Sequence, residues 1–312
     1  MRTFAWLASA VAFVTSTGWA QTWPAKPVRI ITVEAGGGSD FATRVIAPAV
    51  SASVGQPVVV DNRGLLAAEL ASKAPPDGYT FLLIGSTLWL LPFMRDKVPY
   101  EIAQFTPVSM ATRTANILVV PPSLPVKSVA DVIALARAKP GELNYGVSGM
   151  GSSVHIASEL FKSMTGVNIV RVNYKASARA LTDLIAGQIQ IMFAVPGSGL
   201  PHVKSGRLAA VAVTSAQPWP LAPGLPTVAA TVPGYESVSW LAVFAPAGTP
   251  PQIVNRMSAE IARALQRQDV KEKFMASSME TVGSSPDELA AVVKSESARL
   301  GRMIRDAGIR AD

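Results

Sequence analysis

The chain has no cysteine and only two histidines among its 312 residues. The missing cysteine excludes disulfides, thiolate catalysis and thiolate-bound zinc. It also excludes a lipid-modified cysteine at the head of a mature chain. His155 and His202 stand far apart, and no carboxylate spacing around them marks a metal site. Nor is there a dense block of one charge. The formal net charge is +7, but Lys and Arg are scattered along the chain, whereas a nucleic-acid footprint is a patch or stripe. A dispersed basic charge reads first as a solvated, mildly basic surface and second as a field that favours anionic solutes. No apolar run after the first twenty residues is long enough to span a bilayer. No cofactor and no metal are expected.

What is present starts with an export signal. Arg2 precedes an apolar stretch from Phe4 to Val14, and Gly18-Trp19-Ala20 supplies small residues for cleavage before Gln21. A short membrane anchor is the other reading, but the apolar run falls short of the ~20 residues a span needs. Residues 1–20 are therefore expected to be removed and the mature protein to be periplasmic.

The rest alternates buried-type strands with helices. Strands are expected at Val28–Val33, Val58–Val60, Thr80–Ile84, Ile117–Val120, Asn144–Val147, Ile169–Asn173, Ile189–Ala194, Leu208–Thr214 and Leu241–Ala245. Helix starts are marked by Ser128 with Asp131, by Thr249 to Gln252, and by Ser285-Pro286 with Glu288. Gly166, Gly187 and Gly206 mark helix stops. The pattern predicts an α/β, two-lobed binding-protein fold: two mainly parallel sheets flanked by helices, with a cleft between lobes. Pro-rich segments at 121–125 and 245–251 suggest the crossings. They give a first lobe of residues 21–121 and 246–312 and a second of 122–245.

Two constellations carry chemistry. After the first strand come Ala35, Gly36, Gly37, Gly38, Ser39 and Asp40, opening a helix. Glycines allow close approach of backbone to a ligand, and a helix start offers free N–H groups to an anion. In the second, Ser148, Gly149, Gly151, Ser152 and Ser153 lie between a strand and the helix that holds His155. A plain strand-to-helix turn explains either loop alone; two such loops in two lobes fit a clamp on one carboxylate or phosphate. Sharper motifs fail. Neither loop is a dinucleotide fingerprint or carries a P-loop lysine. Gly146-Val147-Ser148 begins like a nucleophile elbow, but the second glycine falls at 149 and 151. An exported serine hydrolase using Ser148 and His155 is the alternative function, and a cytoplasmic nucleotide-binding protein a third. Trp89 and Trp240 are candidate cleft walls.

The whole mature chain resembles the Bug-type receptors of tripartite tricarboxylate transporters. The resemblance rests on Trp23-Pro24-Ala25-Lys26-Pro27, Gly55-Gln56-Pro57, Asp61-Asn62-Arg63, Pro76-Asp77-Gly78-Tyr79-Thr80, Leu143-Asn144-Tyr145-Gly146 and Ala245-Pro246-Ala247-Gly248-Thr249-Pro250. It implies a non-enzymatic, monomeric receptor that closes on a small carboxylate like a hinged trap and serves membrane transporter subunits or a sensor. It adds Ser86, Thr87, Tyr174 and Ala194 to the expected ligand contacts. Two departures stand out. Glu34 replaces an apolar approach to the glycines, and Gly64-Leu65-Leu66-Ala67-Ala68-Glu69 replaces a longer Gly-rich segment. Arg179 also stands where small or uncharged residues are common, either to pair with Glu34 or to hold a second carboxylate.

Overall fold

A computed structural model describes residues 23–33, 35–148 and 151–310. The expected leader, Glu34 and Gly149 lie outside the described residues. The strands are β1 (Val28–Thr32), β2 (Val58–Asn62), β3 (Thr80–Gly85), β4 (Phe105–Ala115), β5 (Ile117–Val120), β6 (Asn144–Ser148), β7 (Val170–Tyr174), β8 (Met192–Ala194), β9 (Ala209–Val213), β10 (Val238–Pro246) and β11 (Glu280–Thr281). The helices are α1 (Gly38–Val54), α2 (Ala67–Ser72), α3 (Thr87–Leu90), α4 (Val129–Ala138), α5 (Ser153–Thr165), α6 (Ser177–Ile185), α7 (Pro196–Lys204), α8 (Pro251–Gln266), α9 (Gln268–Ala276) and α10 (Pro286–Asp306).

The expected capping residues do their work. Ser128 accepts the Asp131 N–H at 3.1 Å, Ser285 and Glu288 form a reciprocal capping box, and Gly166 ends α5 in the left-handed conformation. The first lobe is built on a six-stranded sheet ordered β11-β4-β10-β3-β1-β2. One face is covered by α1, α8 and α9, through Ile46, Val50, Met257, Ile261 and Phe274. The other is covered by α2, α3 and α10, through Ala67, Leu88, Trp89, Leu300 and Ile304. Burying each such aliphatic or aromatic side chain contributes roughly 1.5–3 kcal/mol. In the second lobe β8-β5-β9 form one sheet and β6-β7 another, joined by a bridge between Tyr145 and Ile191.

The two-lobed α/β architecture is as expected, but among the described strands parallel ladders join only β1-β2, β1-β3 and β6-β7, with isolated parallel bridges at Tyr145–Ile191 and Val213–Thr227. The strands that change lobe run against their neighbours: β10 against β3 and β4, β5 against β8 and β9. The crossings also move from the Pro-rich segments. β4, unexpected from sequence, carries the first sheet to Ala115, and Asn116 alone separates it from β5 in the second lobe. On the return, β10 already belongs to the first sheet from Val238. Sheet pairing, not proline, sets these boundaries. Thr214 ties the crossings together. Its Oγ1 accepts the Asn116 N–H at 2.7 Å and donates to Ser237 O at 2.6 Å, and its N–H donates to Asn116 O.

Candidate ligand-binding cleft

The first loop leaves the carboxyl end of β1, where β2 also ends, the edge at which α/β sheets place ligands. Gly36 sits at φ +81°, a backbone that favours glycine. α1 then begins with Gly37 at its cap and no side-chain hydrogen bond there, so its first N–H groups have no intrahelical acceptor. Asp40 turns back into the loop. It accepts the Gly36 N–H at 2.9 Å, Arg44 Nε at 2.8 Å and Asn62 Nδ2 at 2.9 Å, and Asn62 also donates to Val33 O. The Gly36 N–H is the main cause that holds the Asp40 carboxyl below the usual range; burial opposes it, and Asn62 and Arg44 reinforce it. Asp40 is therefore committed to bracing the loop.

The second loop follows the same plan with different chemistry. Gly151 has φ +73°, and Ser152 caps α5. The Gly151 N–H donates to His155 Nδ1 at 3.0 Å. The other ring nitrogen, Nε2, lies 3.6 Å from Glu159 Oε1 and 2.9 Å from Arg171 Nη1. His155 is fully buried, so it supports the loop from below. Glu159 also accepts from the Tyr145 hydroxyl and faces Lys162 and Arg171. Burial would raise its pKa; the hydrogen bonds from His155 and Tyr145 and the nearby positive charge outweigh it and hold it at about 2.

Where the lobes meet, Gly85, Ser86 and Thr87 of the first face Gly151, Ser153 and Ile156 of the second around a cavity of about 70 Å³. The Ala35–Asp40 loop does not line that cavity. Its Gly38 instead lies beside Met279, in a turn of the first lobe that also approaches Gly197 at the start of α7. Ser148 Oγ lies 2.6 Å from Ser177 Oγ, tying the second loop to the start of α6. Tyr174 donates to Asp183 at 3.0 Å, and Ala194 is buried at the end of β8. Arg179 pairs with Asp183 at 3.3 Å on an exposed helix face. Neither tryptophan is a free cleft wall: the indole N–H groups of Trp89 and Trp240 both bind Glu296.

Sequence reasoning missed the roles of Asn62, Glu159 and Glu296. Glu159 was legible as the residue one turn beyond His155 on a helix. Glu296 carried no local signal.

A family model described as the tripartite tricarboxylate transporter family receptor matches residues 42–309. Protein BugT of Bordetella pertussis is 34% identical over 304 residues, which cover 93% of this chain and 92% of that protein. The solved structure of R. palustris Rpa4515 with adipate is 40% identical, with a TM-score of 0.76, covering 92% of this chain and 99% of that one. MatC from Rhodopseudomonas palustris with bound malate is 26% identical, with a TM-score of 0.71, covering 90% of this chain and 100% of that one.

Proposed function

The chain belongs to the tripartite tricarboxylate transporter receptor family, and on that premise we propose that it captures a small organic carboxylate between its two Gly/Ser loops. The family and fold are those of solute receptors, not enzymes. The observation that carries the reading is that each lobe follows a strand with a loop holding a glycine at positive φ and then opens a helix. Each of these glycines donates its N–H to a side chain of its own lobe, Asp40 or His155. That bracing leaves the first-turn N–H groups of α1, those of Ser153 and Val154 in α5, and the Ser39, Ser152 and Ser153 hydroxyls to meet an anion, while the His155 N–H is capped by Ser152. Each helix dipole adds about 0.3–1 kcal/mol, and each hydrogen bond to a charged group about 1.5–3 kcal/mol. The latter therefore set affinity. Closure about the Asn116–Thr214–Ser237 nexus brings the halves together.

After export and removal of its leader, the protein works as a periplasmic monomer and passes its ligand to membrane subunits of a tripartite tricarboxylate transporter or to a sensor. No described helix is long and apolar enough to cross a membrane. Adipate and malate, held by relatives, are the first ligands to try.

The serine-hydrolase alternative lacks its geometry: Ser148 is bonded to Ser177, and His155 is turned toward Gly151 and Glu159. A thermal-shift screen of carboxylates against the matching neutral amides tests the proposal, because a ligand that binds only the folded state raises Tm. Stabilisation by a carboxylate and not by its amide is expected. Ester turnover that disappears in Ser148→Ala would overturn it.

A further inference from the structure

Three elements of the first lobe converge on one buried side chain. Glu296, in the middle of α10, accepts the Trp89 indole N–H from α3 at 3.0 Å and the Trp240 indole N–H from β10 at 2.8 Å. It is only 7% exposed, and its recorded hydrogen-bond partners among the described residues are these two neutral indoles. A buried carboxylate without a cation is costly, and its removal would be tolerated if only packing were at stake. The backbones that carry these indoles form the cavity wall. Ser86, the residue before α3, donates its N–H to Trp240 O at 3.1 Å and accepts the Trp240 N–H on its Oγ at 3.3 Å. Ser86, Ser239, Leu90 and Leu300 all line the cavity where the lobes meet. Trp240 is also three residues beyond Ser237, which is tied to the crossing through Thr214.

We infer that Glu296 is a positioning residue for ligand capture, holding the Ser86–Thr87 arm against the crossing strand β10 through its grip on both indoles. The inference rests on the proposed receptor function only for the use of the arm; the clamp itself is a property of the ligand-free protein. Protonation weakens the grip, because a neutral carboxyl keeps one full acceptor oxygen and turns the other into a donor. Burial pushes the Glu296 carboxyl up to about 7, against the two indole donors. The charges that act on it are Arg299, which lowers its pKa, and Glu236, which raises it. α3 and the Leu91–Phe93 turn carry no charged residue. β4, α5 and α8 also pack on α10, but Arg113 of β4 pairs with Glu280, His155, Glu159 and Lys162 of α5 are engaged with one another, and Glu260 of α8 pairs with Arg256 and Arg263.

The test uses ligand-free protein, so it stands apart from the identity of the ligand. Tryptophan fluorescence is titrated from pH 5 to 9 in the wild type, E296Q, W89F and W240F, and amide exchange is followed at pH 8. The wild type is expected to show a fluorescence transition near pH 7 that E296Q lacks and that each tryptophan variant reduces. E296Q should speed exchange at Ser86 and Trp240 about tenfold, the effect expected for losing a hydrogen bond to a charged acceptor, and leave the β1 and β6 amides unchanged. A transition that persists in E296Q, or exchange that rises evenly across the lobe, would overturn the inference. If E296Q does not fold, the wild-type titration and the two tryptophan variants decide alone: no transition, or one that neither tryptophan variant alters, refutes the clamp.

Discussion

The two halves of the cleft are built to one plan and held by opposite electrostatics. Each half is a glycine at positive φ, a helix start and a side chain reaching back to fix the loop. Behind the second half, Glu159 sits among His155, Lys162 and Arg171 and is held at about 2. On the first-lobe side of the cavity, Glu296 accepts from two neutral indoles, with Arg299 and Glu236 acting on it in opposite directions, and is pushed to about 7. Burial is common to both. The donors decide the sign: around Glu159 the His155 and Tyr145 hydrogen bonds and nearby positive charge outweigh desolvation, and around Glu296 two indoles do not. The same buried carboxylate is thus a fixed anchor in one lobe and a group that titrates near neutrality in the other.

The largest effect expected is from Glu159→Ala. It strands Arg171, Lys162 and the Tyr145 hydroxyl around a vanished charge, and loss of about 3–5 kcal/mol in denaturant unfolding is expected. Glu296→Leu, which trades an uncompensated charge for an apolar group, should cost less at pH 8; an equal loss would erase the contrast.

Next comes the pH dependence. The folded-state pKa of Glu159 is depressed from 4.5 to about 2, so its stabilisation is present above about pH 4.5 and is lost as pH falls toward 2. Glu296 runs the other way, because its folded-state pKa is raised from 4.5 to about 7. Its contribution is most favourable below about pH 4.5 and is lost as pH rises through 7. Each is worth up to about 3 kcal/mol. Unfolding curves at pH 3, 5 and 8 should show E296Q removing much of the fall between pH 5 and 8, and E159Q removing much of the fall between pH 5 and 3.

A smaller effect concerns the Ser148–Ser177 pair. Ser148→Ala and Ser177→Ala should each cost about 1 kcal/mol of stability, and the double variant should cost less than their sum. Additive losses would mean that the contact does not hold the second loop. Smallest is Arg179→Ala. Its exposed pair with Asp183 should contribute under about 0.5 kcal/mol, and calorimetry with any bound carboxylate should show no loss of affinity. A large loss would return Arg179 to the role of second-carboxylate receptor.

Much of the fold was legible where local chemistry decides it. Ser128, Ser285 and Gly166 sit at helix ends because capping needs only neighbouring residues. β4 was not legible: Phe105–Ala115 holds Pro107, Arg113 and three threonines, and becomes a strand through pairing with β10 and β11. The crossings moved for the same reason. At the site, the loops could be read from their glycines and serines, but the direction of Asp40 and His155 could not. Both were expected at the ligand, and both turn back to their own loop. Glu296 joins tryptophans 207 and 56 residues away, a meeting that only the folded chain creates.

The central claim is that two loops from two lobes grip one carboxylate. Backbone amide shifts of Gly36 to Ser39 and of Gly151 to Ser153, followed while adipate, malate and further carboxylates are titrated in, test it most directly. The account predicts that a binding carboxylate moves both sets along a single isotherm. Movement of one set alone, or binding that leaves both still, would contradict it, and so would a panel in which no carboxylate binds.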